Sequence, residues 1–324
     1  MMKSIPRSDS ARVHFWIKTE MNFPVISVVI PTYNHASLLK NAIDSVLSQS
    51  FQEWEAIIVN NYSEDNTVEI IASYKDQRIR LVNFRNNGII AASRNQGIKL
   101  STGKFIAFLD SDDIWYPEKL DRCLRILESG CDAVCHGEMW VENGVKLRKV
   151  FYGPKQRTTY LSLLYTGNCL STSAIIVRKE LLELVGGFDE DPLMVTVEDY
   201  DLWLRLAKSG CDFTFLDEIL GEYRLHGNNL SKVVMKHFNA ELALLHKHFS
   251  KIPDSGLASR LYKRKRLSQA YCAASRRMQE ENSQYSSAKL LYQSWIKFPF
   301  LLKQYGILMI GILKLLRFGR YKTH

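Results

Sequence analysis

Residues 25–34 read VISVVIPTYN. The first six form a continuous apolar, largely β-branched run, the pattern of a strand buried on both faces as in a parallel sheet. Pro31-Thr32-Tyr33-Asn34 ends it. Outward from this strand the chain alternates. Leu38, Leu39, Ala42, Ile43, Val46 and Leu47 recur at helical spacing, and Glu55 to Val59 is a second strand stopped by Asn60-Asn61. A short helix is expected over 65–74, a third strand over 79–84 and a helix carrying Arg94 over 89–100. Lys104 to Leu109 is a fourth strand, and it runs straight into Asp110-Ser111-Asp112-Asp113. Strands and helices in this alternation mean βαβ units, hence an α/β fold with a doubly wound sheet. Ligands of such sheets bind beyond the carboxyl ends of the strands. The polar clusters 31–34, 60–65 and 110–113 should therefore meet on one edge.

After residue 129 the pattern changes. Two strands, 133–141 and 145–151, flank Asn143-Gly144, a hairpin signal. A strand is expected over 174–177, a helix over 179–185 closed by Gly186-Gly187, and an amphipathic helix over 198–208. Short strands follow at 213–216 and 223–225, and from about 233 the chain reads helical and basic. This divides the 324 residues into a polar N-terminal extension (1–22, with Met21 an alternative start), a body (23–231) and a basic helical C-terminal region (232–324).

Charge follows the same division. The net charge is +9, yet residues 232–324 hold 18 Lys and Arg against 4 Asp and Glu, whereas residues 1–231 hold 25 against 30. A basic tail on an acidic body suits an anionic membrane surface or nucleic acid, or is simply a solvated helical face. No stretch reaches the ~20 apolar residues of a membrane span, and no secretory leader is visible. Gly306 to Phe318 (GILMIGILKLLRF) instead suits a helix lying in a membrane interface. Six scattered cysteines contain no CxxC pair, which excludes a zinc ribbon or a thioredoxin-type centre and reads as reduced thiols of a cytoplasmic chain.

Three carboxylates within four residues, Asp110, Asp112 and Asp113, repel one another unless a cation sits among them. Oxygen donors at a strand end suit Mg²⁺ or Mn²⁺ with phosphate oxygens completing the shell. Asp110 and Asp112 are assigned to that role, and Asp113 to capping the helix that follows. No GxGxxG follows the first strand and no GxxxxGK[ST] occurs, so a dinucleotide oxidoreductase and a P-loop NTPase are disfavoured. Glu198-Asp199 opens the amphipathic helix. A carboxylate there either serves as a general base or merely complements the helix dipole. Arg224 and His226 stand together before the tail, placed to hold a diphosphate or a metal, although a lone histidine is more often structural.

The strings VISVVIPTYN, SVLSQSFQEWEAIIV, SRNQGI, FLDSDD, GGFDE, EDYDLWLRL and YRLHGNNLS, in this order, closely resemble glycosyltransferase family 2 from about Pro24 to Ser231. The resemblance implies a GT-A fold, here a doubly wound mixed, Rossmann-like sheet with a C-terminal helical appendage. It implies inverting transfer of a sugar from a nucleotide-diphosphate sugar, by family habit a UDP-sugar, to a saccharide or lipid-linked acceptor in surface polysaccharide or glycolipid synthesis. Nucleic acid is not expected as a partner, and a place on the cytoplasmic face of a membrane is. Pro31 and Tyr33 would line the base and ribose pocket, with Arg94 and Asp110 beside the donor. Asp112 and His226 would hold Mg²⁺ or Mn²⁺, Asp199 would be the base, and Glu198 and Arg224 would stand on the diphosphate and acceptor side. Asn61 stands where the family usually has a base-binding Asp; its amide can flip and so relax the choice of base. The QxxRW pattern of processive synthases is missing, which implies one sugar per encounter. The competing readings are a catalytically impaired nucleotide-sugar-binding module and a sugar nucleotidyltransferase.

Overall fold

The computed structural model describes residues 23–226, 233–253, 256–281 and 283–319, with side chains to residue 311. The polar extension 1–22 with Met21, the Gly227 to Ser231 part of the last motif and the final residues of the basic tail lie outside them. The expected alternation is present as β1 (Ile26–Thr32), α1 (Ala36–Leu47), β2 (Trp54–Asn60), α2 (Thr67–Ser73), β3 (Ile79–Asn83), α3 (Ile90–Leu100) and β4 (Phe105–Phe108). Then come β5 (Ile114–Trp115), α4 (Lys119–Glu128), β6 (Ala133–Glu142), β7 (Val145–Val150), α5 (Tyr160–Thr166), β8 (Ile175–Arg178), α6 (Lys179–Leu184), α7 (Glu198–Lys208) and β9 (Phe213–Leu225). Among the described residues that follow are the helices α8 (Val234–Phe249), α9 (Leu257–Glu280), α10 (Gln284–Lys297) and α11 (Leu302–Gly319).

One mixed sheet runs β3-β2-β1-β4-β8-β6-β9-β5, with β7 hanging from β6. The first four strands are parallel, β8 is antiparallel to both its neighbours, and β6 and β9 are parallel. Alternation along β1 sends Ile26, Val28 and Ile30 to a core shared with α1 and α4 and Val29 to the opposite core with α3 and α7. The second core continues without a break from Trp203 into Phe238, Leu244, Ala274 and Leu290 of the C-terminal helices. Helix α7 is amphipathic as expected, yet it is buried nearly all round, beyond the one face its pattern predicts. Leu202, Trp203, Leu204 and Leu206 are each 0% exposed, and so is Asp201.

Two further expectations change. The short strands 213–216 and 223–225 are one strand, β9, whose pairing to β6 survives two register shifts around Gly137. The first of those shifts passes over the polar Asp217-Glu218, which lie between the paired Leu216 and Ile219 and would interrupt a regular ladder. The two-residue β5 was not legible, because it exists only through its pairing with Gly221 and Glu222. The hairpin turn is as expected, with Asn143 and Gly144 both at positive φ.

Helix α3 lies so close to β1 that a Cβ on Gly97 would stand 2.3 Å from a γ-methyl of Val29. Val is stiff at χ1 and cannot swing aside. Gly97→Ala should therefore cost ~1–3 kcal/mol in urea unfolding. A midpoint unchanged from the parent would contradict this packing.

Candidate active site

The three polar clusters converge as expected. The Asn34 amide N–H donates to Ser63 Oγ at 2.9 Å, and Asn34 Oδ1 accepts from the Glu64 N–H at 2.8 Å. Asp65 Oδ2 accepts from the Ala36 N–H at 3.0 Å, capping α1 from across the edge while the adjacent His35 supplies no cap. His35 Nδ1 is instead 2.9 Å from Ser111 Oγ, tying the first loop to the acidic turn after β4. Between these loops and the start of α7 lies a cleft of about 340 Å³. Pro31, Arg94, Asp110, Asp112, Glu198 and Asp199 line it, and Trp140, Tyr152 and Tyr223 form an aromatic wall.

Arg94, 3% exposed, spans the cleft floor. One guanidinium nitrogen donates to Asp110 Oδ1 at 2.6 Å and another to Glu198 Oε1 at 2.7 Å. Burial alone would lower the pKa of Arg94, but the facing Asp110 and Glu198 raise it. Glu198 uses its second oxygen to accept from the Thr196 N–H at 2.7 Å. The strand end and the helix start are thus joined by a single cation.

Asp199 follows Glu198 and opens to the cleft. Its Oδ1 accepts from the Tyr200 N–H at 2.7 Å, and the Asn168 side-chain amide lies 3.4 Å from its Oδ2. Burial, then the charge of Glu198, push its pKa up to about 7, with Arg94 pulling the other way. That is the range in which a carboxylate can take up and release protons near neutrality.

Across the cleft, Asp112 Oδ2 is 2.7 Å from His226 Nε2, and the His35 ring meets that of His226 edge-on at 5.9 Å between centroids. Burial and the charge of Asp110 raise the Asp112 pKa against the opposing pull of His226 and His35. A carboxylate so placed gains from a cation. One carboxylate oxygen and one imidazole donor, with a diphosphate to complete the shell, could hold a divalent cation. Among the described residues no third His, Cys, Asp or Glu joins them in a metal-sized group.

Asp113 does not cap α4, which begins only at Lys119 with Glu118 before it. Asp113 is 1% exposed and accepts from the Arg224 backbone N–H at 3.0 Å, so it pins β9 against the acidic turn. Beyond this backbone bond, the Arg224 guanidinium lies 3.6 Å from Glu222, and neither Arg224 nor His226 is among the residues lining the cleft. Asn61 lies outside the cleft lining, and its Oδ1 accepts from the Asn86 N–H at 2.9 Å. Flipping would set NH₂ against N–H, so the amide is locked, contrary to the free flip expected from sequence. Tyr33 also lies outside the cleft lining and is 48% exposed. Sequence reasoning missed His35, Ser111, Thr196 and the aromatic wall. Behind that wall the fully buried Glu138 accepts from the Tyr152 hydroxyl at 2.5 Å and fixes its ring.

Residues 27–186 match the model of glycosyl transferase family 2. The chain is 32% identical over 212 residues to Bacillus subtilis (strain 168) TuaG, named for teichuronic acid biosynthesis, covering 64% of this chain and 82% of that protein. It is 29% identical over 231 residues to Escherichia coli WfgD, named a UDP-Glc:alpha-D-GlcNAc-diphosphoundecaprenol beta-1,3-glucosyltransferase, covering 68% of this chain and 85% of that one. The crystal structure of S. aureus TarS 1–349 with UDP-GlcNAc superposes with a TM-score of 0.61 at 17% identity, over 84% of this chain and 89% of that one. That likeness shows the fold.

Arg94→Met should lower unfolding stability by at most ~3–5 kcal/mol, because it leaves the buried Glu198 and the part-exposed Asp110 facing each other without their cation. Arg94→Lys, which lacks the fork that reaches both acids, should fall between. A loss under about 1 kcal/mol in urea unfolding of Arg94→Met would show that the bridge holds nothing together.

Proposed function

The chain belongs to glycosyl transferase family 2 and is a GT-A-fold glycosyltransferase, and on that premise we propose that it moves one sugar per encounter from a UDP-sugar to a hydroxyl of a saccharide or lipid-linked acceptor, inverting the anomeric carbon. The observation that carries this is Asp199: a carboxylate with its pKa pushed up to about 7, facing the same cleft as Asp112. In this reading Asp199 accepts the acceptor's hydroxyl proton as that oxygen attacks the anomeric carbon. The bond from that carbon to the diphosphate oxygen breaks, and UDP leaves with the electron pair. Direct displacement needs one base and one charge sink, and no second carboxylate as nucleophile.

On the leaving side, Asp112 and His226 would hold Mg²⁺ or Mn²⁺, which when bound would supply positive charge against the diphosphate. Arg224 is assigned to the same side. Pro31, Tyr33 and the locked Asn61 are assigned to the nucleoside, and Glu198 and Asp110 to holding the floor through Arg94. The names of the relatives support a UDP donor, a lipid-linked acceptor and a role in surface polysaccharide synthesis. For a lipid-linked acceptor, the C-terminal region supplies a contact surface. Phe300, Leu302, Tyr305, Met309 and Ile310 are all exposed on or beside α11, in a region rich in Lys and Arg. We assign this face to the surface of an anionic bilayer. No described helix is long and apolar enough to cross a membrane.

A screen of UDP-, GDP- and CDP-sugars with Mg²⁺ or Mn²⁺ and lipid-diphosphate sugars as acceptors should give acceptor-dependent UDP release. A preference for another nucleotide would overturn the donor assignment. Asp199→Asn should keep UDP affinity and cut turnover by ~10²–10⁴. In the parent, kcat/KM should climb with pH while Asp199 loses its proton and level off above about 7. A flat profile between pH 5 and 8 would remove Asp199 from the mechanism. Asp112→Ala should abolish the metal-dependent part of UDP binding by calorimetry, and unchanged affinity with Mn²⁺ present would reassign the metal.

A further inference from the structure

The catalytic helix is entered through an unusual turn. Thr196 has φ 86°, a left-handed conformation that is an outlier for a β-branched residue. It lines the cleft, and its N–H donates to the same Glu198 that binds Arg94. Such a conformation persists only where its surroundings over-determine it. One restraint is local: the 3₁₀ turn Pro192–Met194, in which Asp191 caps the Leu193 N–H at 2.9 Å and the Val197 N–H reaches Met194 O at 2.9 Å. The other comes from the C-terminal region. His237 on α8 sets its Nδ1 3.2 Å from Thr196 Oγ1.

Helix α8 is itself bolted to α7. Lys247 Nζ and His248 Nε2 both reach Asp201 Oδ1, at 2.7 and 3.0 Å, while Arg205 holds the other oxygen at 2.6 Å. Lys247 also pairs with Asp189, just before the 3₁₀ turn. One helix thus grips α7 at its first turn and grips the strained residue ahead of it. We propose that His237 is a positioning residue for transfer: with Thr196 it clamps the turn that presents Glu198 and Asp199, so α8 belongs to the catalytic apparatus. His237 touches no reacting atom in this scheme. The functional part of the inference rests on Asp199 as the base, whereas the clamp itself rests on geometry alone.

The test uses the full chain with two readouts. By hydrogen exchange, amides 195–199 in His237→Ala should exchange faster than in the parent, with β1 and β4 unchanged. In kinetics, the same variant should lose about tenfold in kcat at unaltered UDP-sugar KM, since a small misplacement of the base is felt in the chemical step. His237→Asn, which keeps a hydrogen-bonding atom near Nδ1, should recover most of the loss. Thr196→Val keeps the branch, removes the hydroxyl, and approaches the same bond from the other side. It should match His237→Ala, and the double variant should be no worse than either alone. Unchanged exchange at 195–199, or additive losses in the double variant, would overturn the clamp. Faster exchange with an unchanged kcat would leave α8 a structural support and overturn the positioning role. If the parent turns over no UDP-sugar, the donor reading fails, and exchange still decides the clamp.

Discussion

Everything in the cleft depends on one guanidinium. Arg94 sits between the end of β4 and the start of α7 and donates to a carboxylate on each. Without it, Asp110 and Glu198 would face each other across the cleft floor, and repulsion would work to part the two elements that carry Asp112 and Asp199. Only Arg can do this at neutral pH: its fork reaches two acids at once, and its charge cannot be lost on burial. The close seat of α3 on β1, made by Gly97, delivers it to that spot.

From this constraint the chemistry follows. Arg94 is shared between two acids, so it offsets only part of the cost that burial and Glu198 impose on Asp199. Asp199 is thereby left titrating near neutrality, where a base is most useful. Outside the Arg94 bridge, burial and the charge of Asp110 raise the pKa of Asp112, while His226 and His35 pull it the other way. In the proposed mechanism the floor thus sorts a cluster of like charges into a bound pair, a base and a cation site. The C-terminal helices are part of that sorting, because Asp201, one turn into α7, is drawn to Lys247 and His248 of α8 instead of the cleft.

Much of this was legible in the sequence because it is local. The apolar runs at Ile26 and Phe105, the Asn143-Gly144 turn and the carboxylates at strand ends each carry their structural meaning within a few residues. What could not be read depends on partners far along the chain. Asp113 looks like a cap until the backbone of Arg224, 111 residues on, is found against it. Asn61 looks free to flip until the Asn86 N–H fixes it. Helix α7 reads as half-exposed because nothing in its own pattern announces that α8 will cover it. The strain at Thr196 is equally silent, since threonine is not a residue that advertises positive φ.

Direct displacement with a single base has a stereochemical signature that neither double displacement nor front-side attack can imitate. Proton NMR of the product formed from an α-linked UDP-sugar reads it at the anomeric carbon. A β-linked product is expected. An α-linked product would mean two displacements or front-side attack, and would contradict the assignment of a single base to this cleft.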